Sequence, residues 1–147
     1  MKKRSASILS VGVLLAGLLG GAIATASSAA AVANYECNTA KKFVKGSYYI
    51  ALPHQNYADA DPYWCYLKYG SDNSGVTALQ FSLNKCYGAG LVVDGAYGSA
   101  TRDAVVSVQK RLGIGVDGEY GPETRSAMNW SHRNSSGTHV RCAKLSA

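Results

Sequence analysis

The sequence predicts a mostly α fold, in which a compact three-helix domain follows a small disulfide-stapled segment of β or irregular structure. Three observations predict this class. Seven residues recur at a constant offset of 23, two stretches carry apolar residues at helical spacing, and four cysteines lie beyond the first 33 residues. Repetition at a fixed period marks a duplicated supersecondary unit. Two copies indicate a small domain rather than an open array.

Residues 1–33 are typical of a secretory signal peptide. Three positive residues at positions 2–4 precede an uncharged apolar stretch over 8–23 and an Ala/Ser-rich run. The run at 31–33 is a small-x-small cleavage site before Asn34, and the run at 24–26 is an alternative. Because the apolar stretch is short for a membrane-spanning helix, we expect cleavage, secretion and no stable membrane anchor.

The positive charge of the chain is concentrated in this leader. Removing residues 1–33 leaves 147 − 33 = 114 residues and takes three positive charges, so the formal net charge falls from +6 to +3. The remaining lysines and arginines are scattered and form no basic stripe. The composition therefore predicts no nucleic-acid partner.

Four cysteines predict two disulfides, because an even count in an exported chain meets an oxidising environment. Three connectivities are open. Pairing Cys37 with Cys65 and Cys86 with Cys142 is favoured, since each pair then closes one module that is local in sequence. A metal site is disfavoured because no Cys-x-x-Cys pair is present.

Residues 34–70 form a Tyr-rich segment that lacks helical periodicity. The β-forming runs at 47–52 and 63–67 predict a two-stranded or irregular β segment stapled by the first cysteine pair. Its clustered tyrosines could stack on sugar rings or contact a protein partner. They could instead form the core of a segment that has few aliphatic residues, and we favour this interpretation.

Residues 71–131 predict the helical domain, and residues 132–147 a polar, loop-like tail that Cys142 ties back. The first helix begins at the turn-rich stretch 71–75 and ends near Gly88, and the second runs over 99–112 to Gly113. The third begins at Pro122 and ends around Trp130. The apolar face of the first helix consists of Val76, Leu79, Leu83 and Tyr87. That of the second helix consists of Val105, Val108 and Leu112.

The repeated phrase is an Asp-Gly-x-Tyr-Gly-x-x-Thr turn that leads into a helix. Aspartate can accept bonds from nearby backbone N–H groups, glycine admits positive φ, and an early threonine can help to satisfy free N–H groups. Gln80 and Gln109 are expected to bridge backbone groups in the same way. The residues to which we assign a structural turn role are Asp94, Gly95, Gly98, Thr101, Asp117, Gly118, Gly121 and Thr124.

With these motifs, Val76 to Trp130 resembles the peptidoglycan-binding domain type 1 family. The shared pattern is a Leu-Gln helix, the first Asp-Gly-Tyr-Gly turn, an Ala-Val-x-x-x-Gln helix and the second turn. Val108 stands where the family often has an aromatic residue. The resemblance implies a compact three-helix domain that attaches secreted proteins to bacterial cell-wall peptidoglycan, and it implies no activity and no cofactor.

The resemblance does not fix the ligand surface, so the binding residues are a hypothesis. Tyr97 and Tyr120 could stack on sugars or pack on their own turns. Arg102 and Arg125 could pair with carboxylates of stem peptides or wall polymers, or could lie on a solvated helix face. We predict a ligand site at these four residues and no catalytic or metal site.

Two alternatives remain beside a non-catalytic binder of the cell wall. A small zinc amidase or carboxypeptidase would need ligands from His54, His132 and His139, but no His-Glu-x-x-His motif is present. The other is a wall-localised inhibitor or protein-interaction module that uses the Tyr-rich segment to bind an unidentified partner.

Overall fold

The computed structural model of the protein describes residues 35–57 and 61–145. The predicted signal peptide and its cleavage site lie outside these residues. In chain order the elements are β1 (Thr39–Lys45), β2 (Tyr48–His54), α1 (Ser74–Tyr87), α2 (Ser99–Leu112), α3 (Pro122–Ala127), β3 (Trp130–Arg133) and β4 (His139–Ala143).

The predicted mostly α class is wrong, because the four strands form one antiparallel sheet in the order β1-β2-β3-β4. The three predicted helices are present, but α3 has only 6 residues. α1 packs against β1, β2 and β3. The described part of the chain is therefore an α+β structure, with helices against an antiparallel sheet.

The first two strands form a hairpin that the sequence shows only in part. β2 follows the predicted β-forming run but continues through Pro53 to His54, and its register with β1 pairs Phe43 with Ile50. The two-residue loop uses Gly46 at a φ of 62°, which suits a tight hairpin turn. β1 shows no buried alternation because it is a lysine-bearing edge strand whose last five residues are exposed.

The C-terminal tail is not a loop. α3 ends at Ala127, and Trp130 begins β3 rather than ending the helix. β3 pairs with β4 and, through Arg133, with Tyr49 of β2. The prediction failed because these strands are short and largely polar, and because β3 also pairs with β2, which is distant in the chain.

The two longer helices follow their sequence signals closely. The Asn73 side chain caps α1 by accepting bonds from the N–H groups of Gly75 and Val76 at 2.8 and 3.3 Å. Gly88 and Gly113 end α1 and α2 in the left-handed conformation, each at a φ of 67°. Local capping residues were sufficient to place these boundaries.

One hydrophobic core joins the elements of the described chain. Its buried side chains come from β2, α1, α2, α3's flanks and β3, and include Ile50, Leu52, Val76, Leu79, Leu83, Val105, Val108, Met128 and Trp130. The apolar faces predicted for the first two helices therefore point inward. Val76, Leu79 and Val105 are fully buried, whereas Tyr87 and Leu112 are partly buried at the margin.

Two disulfides close the structure, Cys37–Cys65 and Cys86–Cys142. This is the pairing that the sequence analysis favoured. The second predicted β run, 63–67, contributes only isolated bridges, from Tyr66 to Glu36 and from Leu67 to Tyr120. Among the described residues, no helix combines the length and hydrophobicity needed to cross a membrane.

Candidate functional site

The first repeated turn is organised around the buried amide of Gln80. Its Nε2 donates to Asp94 Oδ1 at 2.9 Å, to the Ala96 carbonyl at 3.0 Å and to Thr101 Oγ1 at 3.1 Å. Its Oε1 accepts from the Gly95 N–H at 3.0 Å. The Gln80 hydrogen bond, followed by one from the Ala96 N–H, lowers the pKa of Asp94.

The second turn reproduces this network bond for bond. Gln109 Nε2 donates to Asp117 Oδ1 at 2.7 Å, to the Glu119 carbonyl at 2.9 Å and to Thr124 Oγ1 at 3.1 Å. Gln109 Oε1 accepts from the Gly118 N–H at 2.9 Å. Each glutamine amide thus joins a helix to the turn and helix that follow it, which gives both networks a structural role.

The glycines of the two turns divide into two kinds. Gly95 and Gly118 have φ values of 84° and 72°, which only glycine adopts readily. Gly98 and Gly121 are the N-caps of α2 and α3 and have extended backbones.

Both repeated tyrosines are buried, so neither ring presents a face on which a sugar could stack. Tyr97 is 2% exposed and its hydroxyl donates to the Gly118 carbonyl at 3.0 Å, which links the first turn to the second. Tyr120 is 0% exposed and lies edge-to-face against Trp130. Burial raises the pKa of both phenols, which therefore stay protonated.

The two repeated arginines lie in different surroundings. Arg102 is exposed and covers the second turn, since a Cβ built on Gly118 would fall 3.0 Å from Arg102 Cγ and 3.1 Å from its Nε. This contact gives Arg102 a packing role. Among the described glycines, none has Arg125 packed on it in this way.

Arg125 lines a depression of about 320 Å³ that we call the Arg125 pocket. Its guanidinium carbon lies 5.9 Å from the centre of the Tyr63 ring. Its Nε is buried and has no hydrogen-bond partner among the described residues. The lining residues are Phe43, Leu52, Tyr63, Arg125, Ser126 and Leu145.

A second depression, of about 480 Å³, lies against the second turn and is called here the α3 groove. Trp64, whose side chain is 43% exposed, and Tyr66 contribute aromatic surface from the Tyr-rich segment. Three carboxylates, Asp117, Glu119 and Glu123, contribute acceptors. The other lining residues are Gln109, Gly121, Pro122, Thr124 and Ser126.

The α3 groove has the mixture of surfaces that a carbohydrate needs. An exposed indole can contact the apolar face of a sugar ring, and carboxylates can accept bonds from its hydroxyls. From the sequence, Tyr97 and Tyr120 were expected either to stack on sugars or to pack on their own turns, and a core role was favoured for the N-terminal aromatics. The composition of the 34–70 segment raised sugar stacking but could not single out Trp64, because its position beside α3 arises from tertiary packing.

The three histidines lie on separate strands, His54 on β2, His132 on β3 and His139 on β4. His54 and His132 are buried, and burial is the largest cause that lowers the pKa of each. Within 35–57 and 61–145, no three His, Cys, Asp or Glu side chains are grouped closely enough to hold a metal ion.

Comparison with known proteins identifies the repeated segment. Residues 72–128 match the family described as "Putative peptidoglycan binding domain", which confirms the resemblance seen in the sequence. No curated protein matches the chain.

Two solved structures are similar to part of the chain. One is a fused Zn-dependent amidase/peptidase/peptidoglycan-binding domain-containing protein from Clostridium acetobutylicum, with 36% identity over 40% of this chain and 26% of that one, and a TM-score of 0.39. The other is the Burkholderia AP3 phage endolysin, with 43% identity over 42% of this chain and 23% of that one, and a TM-score of 0.37. The aligned part is therefore about a quarter of either protein.

Proposed function

We propose that this chain, whose residues 72–128 belong to the peptidoglycan-binding domain type 1 family, is a secreted, non-catalytic module that binds the peptidoglycan of a bacterial cell wall. The observation that carries the proposal is the family match, which spans both repeated turns and all three helices. The described residues outside the match supply the sheet and share the same core.

Two further observations support the proposal. Both disulfides suit an oxidising compartment outside the cytoplasm. The α3 groove offers a place for the glycan, with Trp64 as the stacking residue and the three carboxylates as hydroxyl acceptors. Glycan binding there uses residues from both the matched segment and the Tyr-rich segment.

The test is co-sedimentation of the purified, oxidised protein with insoluble peptidoglycan. We expect the protein in the pellet with peptidoglycan and in the supernatant with cellulose, a glycan that has neither N-acetyl groups nor stem peptides. Recovery in the supernatant with both polymers would contradict the proposal. Release of soluble muropeptides, abolished by a metal chelator, would contradict its non-catalytic part and favour a zinc hydrolase.

A further inference from the structure

The Arg125 pocket joins a cation to apolar walls that come from four separate parts of the chain. Phe43 lies on β1 and is 43% exposed, Leu52 lies on β2, Tyr63 lies in the segment that follows, and Leu145 follows β4. Arg125 and Ser126 close the pocket from α3. The volume of about 320 Å³ is at the small end of the range for ligand sites.

The charge of Arg125 is not neutralised by a carboxylate in the described structure. A guanidinium remains protonated at any physiological pH. Its buried Nε has no hydrogen-bond partner among residues 35–57 and 61–145, and its side-chain contact is with the ring of Tyr63. A carboxylate entering the pocket could accept charge-assisted hydrogen bonds from the terminal N–H groups of this guanidinium.

The neighbouring α3 groove has the opposite charge. Asp117, Glu119 and Glu123 line it, and Ser126 lines both depressions. A ligand with a neutral glycan part and an anionic end would therefore place the anionic end in the Arg125 pocket, because the groove would repel it.

We infer that the Arg125 pocket binds the carboxylate terminus of a peptidoglycan stem peptide, with its small alanine methyl groups against Phe43, Leu52 and Leu145. This inference rests on the proposed function and specifies its peptide component. The side-chain carboxylate of a diamino acid fits less well. It carries an ammonium group beside it, and that group would be repelled by Arg125 and buried among apolar walls.

The repeat provides a matched control for this pocket. Arg102 occupies the position equivalent to Arg125, so Arg102→Met and Arg125→Met remove the same charge from the same turn of two related helices. Methionine retains the Cγ atom with which Arg102 packs near Gly118. The two variants therefore differ in whether they remove the cation from the pocket.

The experiment is titration of the purified, oxidised protein with diacetyl-Lys-D-Ala-D-Ala and with its C-terminal amide, followed by amide chemical shifts in NMR. We expect the free acid to shift the amide signals of Ser126 and Leu145. Its affinity should be about tenfold or more higher than that of the amide, because the amide cannot form the charge-assisted hydrogen bond. Arg125→Met should weaken binding of the acid by a similar factor, and Arg102→Met by less than about twofold.

Equal binding of acid and amide, or equal loss in the two arginine variants, would overturn the inference. Should Arg125→Met fail to fold, Phe43→Ala removes an exposed wall residue instead and should weaken the free acid several-fold; unchanged binding there would also overturn it. We expect a peptide ending in L-Ala-L-Ala to bind more weakly than the D,D form. Tighter binding of the L,L form would overturn the inference and would point to a protein C-terminus as the ligand.

Failure of this inference is distinguishable from failure of the proposed function. Retention on peptidoglycan without binding of the free-acid peptide would overturn the pocket assignment alone. Binding of the peptide without retention on peptidoglycan would overturn the proposed function and support the chemistry assigned to the pocket.

Discussion

The ring of Tyr66 lies directly against the backbone of Gly121, since a Cβ built on Gly121 would fall 2.6 Å from Tyr66 Cε1. The equivalent glycine of the first turn, Gly98, would meet nothing within 4 Å. Neither has a left-handed φ, with values of −86° at Gly98 and −146° at Gly121. The second glycine is thus needed for a tertiary contact, whereas its repeat partner is not.

Gly121→Ala should be more destabilising than Gly98→Ala. The added methyl group forces Tyr66 away, and overpacking of this kind costs about 1–3 kcal/mol of unfolding free energy. Both glycines are helix N-caps, so any change in capping applies to both variants. Urea denaturation measures the difference, and equal midpoints for the two variants would show that Tyr66 moves without cost.

Replacing either buried glutamine should destabilise the protein strongly. Gln109→Leu leaves the buried Thr124 hydroxyl and the buried Gly118 N–H without the amide that joins them, whereas the exposed Asp117 can bond water instead. We expect a loss of about 3 kcal/mol or more in unfolding free energy, because each buried group left unpaired costs about 1–3 kcal/mol.

Gln80→Leu should cost a similar amount, since its network has the same bonds. Lys110→Met, at an exposed position next to Gln109, is the control and should change stability by less than about 0.5 kcal/mol. A mild effect of either glutamine variant would mean that water replaces the amide at low cost.

Trp64→Ala should lower the apparent affinity for peptidoglycan by about tenfold or more, which is the usual loss when an aromatic anchor is removed from a binding surface. Tyr69→Ala is the control, because Tyr69 is 68% exposed and does not line the α3 groove. Co-sedimentation across a range of peptidoglycan concentrations gives the comparison. If Tyr69→Ala lost as much binding as Trp64→Ala, the glycan would lie on another surface.

Stability should decrease as the pH falls below about 6.5, the ordinary pKa of an unfolded histidine. Burial, followed by the positive charge of Arg141, lowers the pKa of His132 in the folded state. The unfolded chain therefore binds more protons between the two pKa values, and acid shifts the equilibrium toward it. His54, whose pKa burial also lowers, acts in the same direction.

His132→Gln should flatten this pH dependence between about pH 7 and 5, and the double variant with His54→Gln should flatten it further. The measurement is the urea midpoint as a function of pH. His139, which bonds Ser131 and is only partly buried, provides the control variant His139→Gln. A pH dependence that survives the double variant would assign the acid sensitivity to other groups.

Local patterns predicted the repeated unit well. The helices α1 and α2 appear where apolar spacing and capping residues placed them, since those signals act within a few residues of each boundary. Gln80 and Gln109 bridge their turns as expected, although Gln80 lies 14 residues before Asp94 and Gln109 lies 8 residues before Asp117. These features depend on contacts made inside the segment from α1 to α3.

The sheet was outside the reach of such patterns. β1 shows no buried alternation because it is an edge strand, and the tail appeared loop-like because its strands are short and mostly polar. The two halves of the sheet meet where β2 pairs with β3, through Tyr49 and Arg133, which are far apart in the sequence. Only the folded chain brings these segments together, which is why the fold class was missed.

The amino-acid sequence alone was sufficient to identify a duplicated turn-to-helix unit and the family whose model residues 72–128 match. It could not distinguish equivalent residues within that unit, because identical neighbours in sequence acquire different neighbours in space. Arg102 covers the turn at Gly118, whereas Arg125 enters a pocket completed by Phe43 and Leu145. Tertiary packing therefore decided the surroundings of each arginine, because the two copies of the repeat contact different parts of the rest of the chain.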